Sequence, residues 1–230
     1  MTQSSLPRGE LVESVGEGGL PRRTDYVGQF ITLAPVDPQA DADELYACTH
    51  GTVTKEQVWT YMGYGPFESV GNMRMWLSDA AESQDPLFFA VHQNNPQRRM
   101  GMVSFLNIVA DMRRLEVGHI WYTPEAQGTQ ANTEAAYLML CEAFDRLNYR
   151  RVEWKCDALN ARSRAAALRL GFSFEGIFRQ HMIVKGRNRD TAWFAMLDSE
   201  WPLIKRNFET WLYRNPDWKI SLTELNRGRL

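Results

Sequence analysis

The chain has only three cysteines, Cys48, Cys141 and Cys156, in 230 residues. None forms a C-x-x-C pair, so neither a disulfide framework nor a thiolate metal knuckle is indicated. The four histidines, His50, His92, His119 and His181, are scattered without zinc-ligand spacing, and no metal site is expected. Basic residues are not in excess: 26 Lys and Arg face 28 Asp and Glu, a formal net charge of -2. Nucleic-acid binders show a basic excess or stripe, so its lack argues against that role. No apolar run approaches the roughly 18 residues of a membrane span. The opening stretch MTQSSLPRGELVESVGEGGLPRRTD has no apolar centre of the kind a signal peptide needs. These absences together predict a cytoplasmic protein without a membrane or nucleic-acid partner.

Hydrophobic residues make up 44% of the chain and charged residues 23%, which suits one globular domain with a substantial core. Residues 1–24 are rich in Gly, Ser, Pro and charge and read as a flexible leader. A single domain is expected over 25–213, followed by a tail over 214–230. GQFITLAPVD (28–37) reads as a first strand ended by proline. DPQADADELYACTHG then reads as a helix opened by acidic residues and stopped at Gly51. In residues 69–83, Met73, Trp76, Leu77 and Ala80 share one helical face. PLFFAVHQ (86–93) and MGMVSFLNIV (100–109) flank the turn residues NNPQRR and read as a hairpin. RLEVGHIWYT (114–123) is a third strand of this group. A helix follows to about Asn148, then a strand at 150–158 and a short helix ending at Gly171, a C′ glycine. Two strands joined by KGRNRD (185–190) and an amphipathic helix from about Glu200 complete the pattern. The expected fold class is α/β (α+β): a mixed, mostly antiparallel sheet with helices on both faces. The unit from 114–123 to 150–158 is a β-α-β crossover. Ligands commonly bind at the C-terminal strand end of such a unit.

PEAQGTQANTEAAY (124–137) occupies that position. It is either a phosphate-holding turn or an ordinary helix start with Thr129 as N-cap. Its order with EVGHIWYT before it, and with YRRVEWKCDALNARSRAAALRLGFSFEG after the helix, resembles the GNAT (GCN5-related) N-acetyltransferases. The nearest branch is that of the ribosomal-protein N-terminal acetyltransferases. The likeness runs from about residue 28 to 201 and is dense from 116 to 201.

The resemblance implies acetyl-CoA as donor and an amine as acceptor, either a small molecule or a peptide N-terminus. It implies a pyrophosphate loop of the form Q/R-x-x-G-x-G/A. Gln127 matches its first position, while Gln130 and Asn132 stand where the family prefers small residues. Gln127, Gly128, Thr129, Gln130 and Asn132 are thus candidate cofactor contacts, with backbone amides supplying most of the binding. Pantetheine is expected beside strand backbone at Ile120, Trp121 and Tyr122. Core packing is the alternative for Trp121 and Tyr122, and it must hold for one of the two, because strand neighbours face opposite ways. Asn160 matches the asparagine that holds the cofactor arm, and it also suits a helix N-cap. Ser163 matches the serine near the thioester sulfur, a candidate proton donor and cofactor contact. The tyrosine many members carry seven residues after the asparagine is Ala167 here.

The reaction needs a neutral amine. An α-amine is roughly one quarter neutral near pH 7.4, and a lysine amine only about one part in a thousand. Candidate bases are Glu116 and His119 on one strand and Glu153 and Asp157 on the other, with His181, Tyr122 or no side-chain base as alternatives. WTYMGYGPFES (59–69) lies where the family places acceptor-binding helices. The density of Trp59, Tyr61, Tyr64 and Phe67 suits a pocket wall, with Trp59, Tyr64 and Phe67 as candidate substrate contacts, or an aromatic cluster packing a loop on the core. KGRNRD reads as a solvated turn that could meet an acidic acceptor. Cys156 reads as a small core residue. Two other readings stay open: a non-catalytic acyl-CoA-binding or regulatory module on the same fold, and an interaction protein that binds no CoA. The C-terminal helix and tail could contribute to a homodimer contact.

Overall fold

The computed structural model describes residues 6–12, 18–214 and 219–227. The remaining parts of the expected leader and tail lie outside the described residues. Two short strands, β1 (Tyr26–Val27) and β2 (Ile31–Pro35), lead into α1 (Pro38–Thr49), the single turn α2 (Val53–Glu56) and α3 (Val70–Glu82). β3 (Leu87–Gln93), β4 (Arg98–Val109) and β5 (Arg114–Tyr122) follow. α4 (Ala131–Leu140) runs on as a π-helical stretch, Cys141–Arg146, into β6 (Arg151–Asp157). Next come α5 (Ala161–Arg169), β7 (Ser173–Val184), β8 (Arg187–Leu197), α6 (Trp201–Tyr213) and α7 (Leu222–Arg227).

The eight strands form one sheet in the order β1-β2-β3-β4-β5-β6-β8-β7. Among the described strands only β5 and β6 pair in parallel. Alternate residues feed two cores, as the twofold period of a strand requires. Phe88, Met102 and Trp121 point into a cluster with Leu45, Trp59, Met73 and Leu77 from the α1–α3 side. Their neighbours Phe89, Val103 and Tyr122 point into the larger cluster with Met139, Leu140, Phe144, Ile204 and Phe208 from α4 and α6. Helices therefore cover both faces, as the strand and helix pattern predicts.

Local chemistry sets the helix ends. Asp37 caps α1 through Gln39 N and Ala40 N, with proline in the first turn, and Ser69 caps α3 through Asn72 N. The first long strand is shorter than the sequence suggests. Residues 28–30 form a turn because the buried Glu134 carboxylate takes the amides of Gln29, Phe30 and Ile31 at 2.8, 2.7 and 2.8 Å. A Cβ on Gly28 would lie 2.5 Å from that carboxylate. Residues of the expected leader also touch the body: Gly18 N donates to Ala110 O, and Arg146 donates to Leu20 O. α7 folds back on the same body, with Leu222 buried and Asn226 donating to Arg169 O.

Candidate active site

β5 and β6 pair only at Arg114–Arg151, Leu115–Val152 and Glu116–Glu153. Beyond Glu116, β5 stays with β4 as far as Tyr122, and β6 stays with β8 as far as Asp157. The sheet therefore splits between them. A bulge in β5 accompanies the split. Met102 faces Trp121 and Ser104 faces Gly118, so three steps on β5 match two on β4. His119 sits in that bulge with φ 50°. An extra residue bends its strand and sharpens the local twist. On the partner strand, Gly101 is required: a Cβ there would stand 2.0 Å from Trp121 O.

The split holds a cleft of about 690 Å³. Its floor is a charge network. Glu116 accepts from Asn107 Nδ2 at 2.7 Å and from Lys155 Nζ at 2.8 Å. Lys155 also lies 2.8 Å from Glu153, which Arg151 holds at 2.9 Å. The two carboxyl groups are pushed apart. Burial lifts Glu116 above the ordinary glutamate value, against the pull of Lys155 and Asn107. Burial also lifts Glu153, but there Lys155 and Arg151 win and hold it low. His119 is pushed down to about 4, by burial first and by Arg189 second. At neutral pH it is a neutral imidazole and a weak base.

Asn160 and Ser163 reach the same cleft from α5. Asn160 Oδ1 caps α5 through Ser163 N at 3.1 Å. Trp154 Nε1 donates to Ser163 Oγ at 3.0 Å. With its oxygen fixed by that bond, the Ser163 hydroxyl proton is left to donate elsewhere. Ala167 is buried in the core. Burial lifts the Cys156 thiol above its ordinary value, and it stays protonated.

The turn before α4 runs along the same side. Gly128 has φ +76° with open space where a Cβ would be. Gln130 has φ -67°, a helical value any residue adopts. Its side chain is no conformational obstacle to the loop. Within the described residues, the amides of Gly128, Gln130, Asn132 and Thr133 donate to nothing. The Thr129 hydroxyl, by contrast, donates to Ala126 O at 2.7 Å and accepts from Ala131 N. Gln127 spans from Tyr122 O to Arg162. Asn132 Oδ1 is buried without a partner.

Trp121 and Tyr122 both bury their rings, one in each core. Ile120 lines the cleft between the two faces. Trp59 is fully buried and donates to Thr49 O at 3.3 Å. Tyr64 stacks on Trp76 at 4.2 Å, and Phe67 meets Trp59 edge-on. These three rings pack the segment onto the sheet, and the cleft wall comes instead from Tyr61, Met62 and Gly63. Of these, the sequence pointed to Tyr61 and missed Met62 and Gly63. Aromatic density marks the segment but not which ring turns outward.

A mixed sheet split at a parallel pair, with unspent amides where one strand hands over to a helix, is the layout of a CoA-dependent acetyltransferase. The family model described as acetyltransferase (GNAT) domain matches residues 31–173, and the chain belongs to that family. Acetyl-CoA is the acyl donor of GNAT acetyltransferases. A GCN5-related N-acetyltransferase from Brucella melitensis is similar throughout: TM-score 0.89, 39% identity, 94% of this chain and 99% of that one. YdaF of Bacillus subtilis (strain 168), whose name carries a provisional ribosomal N-acetyltransferase assignment, is 33% identical over 101 residues. That match covers 44% of this chain and 55% of YdaF, about half of its length. The Microcin C7 self immunity acetyltransferase MccE, solved with acetyl-CoA and AMP, shares the fold at TM-score 0.67 and 23% identity, covering 77% of this chain and 98% of that one. Among the described residues no helix is long and apolar enough to cross a membrane.

Proposed function

We propose that this chain moves an acetyl group from acetyl-CoA to a primary amine by direct attack in a ternary complex. The acceptor is a protein N-terminus or a small-molecule amine. The observation that carries the reading is the split between β5 and β6, with Ser163 on one wall and Glu116 on the other. The unspent amides of Gly128, Gln130, Asn132 and Thr133 suit the pyrophosphate, which favours helix N-termini. Asn160, whose Oδ1 is spent on the cap, offers its Nδ2 to the cofactor arm. Bound there, acetyl-CoA supplies an activated acetyl thioester.

The chain's own residues do the rest. Glu116 is the base, acting on the amine through water. Its raised affinity for a proton brings it closer to the amine than Glu153, which is held low. Lys155 and Asn107 fix its carboxylate. His119 stays neutral and shapes the bulge wall against Tyr64 and Phe88, 5.7 and 4.9 Å between ring centres. Ser163 holds a proton at Oγ for the leaving sulfur, in place of the tyrosine absent at Ala167. Trp59, Tyr64 and Phe67 act indirectly by presenting Tyr61 and Met62 to the acceptor. A non-catalytic acyl-CoA binder is the second reading, favoured by Ala167 alone.

Thiol release from acetyl-CoA against a panel of amines tests the proposal. The panel holds peptide N-termini, amino acids and polyamines. Release with at least one amine, strongly reduced in Ser163→Ala and Asn160→Ala, is expected. Turnover unchanged in both variants would remove these residues from the site.

A further inference from the structure

The cleft contains more cation than its own carboxylates use. Glu116 and Glu153 share Lys155, and Arg151 is bound to Glu153 and to Glu175. Asp157 Oδ1 already accepts from Leu159 N at 2.8 Å. Two guanidinium groups remain on the cleft wall, Arg114 and Arg189. Neither makes a side-chain hydrogen bond or ion pair to the described residues. Arg114 stands where β5 and β6 are still paired. Arg189 stands at the open end, just beyond the Asp157–Thr191 pair that closes β6 against β8.

Arg189 is half-buried, and its Nε is fully buried without a partner. It lines the cleft together with His119 from β5, Cys156 from β6 and Ser163 from α5. A buried donor left unpaired costs free energy, and native structures rarely keep one without a use. The fork of a guanidinium matches a carboxylate or phosphate in both spacing and charge. His181 and Met182 of β7 complete the wall around it, with His181 Nδ1 turned to Thr191 Oγ1 at 2.9 Å. Among the described residues, no carboxylate pairs with Arg189.

We infer that the amine acceptor carries an oxyanion, a carboxylate in the simplest case, and that Arg189 binds it. The inference rests on the acyl-transfer reading above and names its acceptor class. The carboxylate has two sources: the α-carboxylate of a free amino acid, or an acidic side chain near the N-terminus of a peptide. Polyamines, which have no anionic group, are disfavoured.

Two matched acceptor pairs test this with full-length protein. One is L-phenylalanine against L-phenylalaninamide. The other is a tripeptide amide with aspartate at its second position against the same peptide with asparagine. Intrinsic amine reactivity differs within a pair, so the readout is the change in each pair's kcat/KM ratio on going to Arg189→Gln. In at least one pair the preference for the anionic member is expected to fall about ten- to hundredfold, the weight of a hydrogen bond to a charged group. Arg189→Lys keeps part of it, acetyl-CoA affinity is unchanged, and the responding pair names the source. Ratios unchanged within twofold in both pairs would overturn the inference. If none of the four turns over, calorimetric binding of the same four to the CoA complex gives the ratio directly. An Arg189-dependent preference there supports the inference, and its absence overturns it. Acetyl-CoA binding without thiol release from any amine fails the transferase reading separately.

Discussion

Replacing Glu116 with glutamine separates the chemistry of the cleft from its architecture. Glu116 is nearly buried, 7% exposed, and receives Asn107 and Lys155 on one oxygen. Glutamine keeps an acceptor oxygen for both donors and removes only the charge. Lys155 retains Glu153 at 2.8 Å. The folding cost is therefore about 1–2 kcal/mol, a charge-assisted bond weakened to a neutral one. Losing a general base costs about 10²–10⁴ in rate, or about 2.7–5.5 kcal/mol of barrier. Denaturant midpoint and thiol-release kinetics on the same preparation resolve the two effects. The pH profile adds a sign. A base works only when deprotonated, and burial lifts Glu116 above its ordinary 4.5. Wild-type kcat/KM, corrected for ionisation of the amine, should thus fall on the acid side through a pKa above that value, and Glu116→Gln should lack that limb. Lys155→Met removes the charge that pulls Glu116 down, so its limb should move to higher pH. A Glu116→Gln enzyme within tenfold of wild type, or one keeping the wild-type acid limb after correction for ionisation of the amine itself, would refute the assignment.

Ser163→Ala should lower kcat about a hundredfold while acetyl-CoA affinity changes less than about threefold, and Trp154→Phe should lose less, because the hydroxyl remains. Calorimetry and steady-state kinetics check both. Gly128→Ala meets no atom but must hold φ +76°; that costs about 1–2 kcal/mol, and acetyl-CoA titration should show binding weakened about tenfold. Asp41 is fully buried, with His92 at 3.1 Å and Arg99 at 2.9 Å. Burial raises its pKa, but hydrogen bonds from His92, the Asp37 amide and Arg99 outweigh it and hold the carboxyl below 3.8. A folded pKa below the unfolded one means stabilisation that is present above about pH 4 and lost as pH falls through the folded value. Asp41→Asn should therefore cost about 3–5 kcal/mol at neutral pH in denaturant titration and flatten the acid limb of stability.

Much of this site was legible in the sequence because its signals are local. The N-x-x-S spacing of Asn160 and Ser163 places both at one helix start, and the structure puts them there. Glu116 and Glu153 could be assigned to neighbouring strands from pattern alone. The pairing partner of their charges could not, since Lys155 joins residues far apart in the chain. The bulge at His119 was equally hidden, because a register slip depends on β4 as well as β5. The first strand was read too long because the Glu134 carboxylate that claims the amides of 29–31 lies on α4. Trp59, Tyr61, Tyr64 and Phe67 stood out by size, but of these only Tyr61 faces the cleft, beside Met62 and Gly63. Arg189 looked like part of a solvated turn. The turn is only Lys185 and Gly186, and Arg187–Asp190 belong to β8.

The departure at Gln130 and Asn132 now has a physical account. Neither position needs a positive φ, and among the described residues four amides around them have no partner. Titrating acetyl-CoA while following thermal unfolding tests this most directly. A single saturable transition is expected, with about 2.7 kcal/mol of added stability at a hundred times the dissociation constant. No shift at millimolar acetyl-CoA would contradict the assignment of this cleft to CoA chemistry.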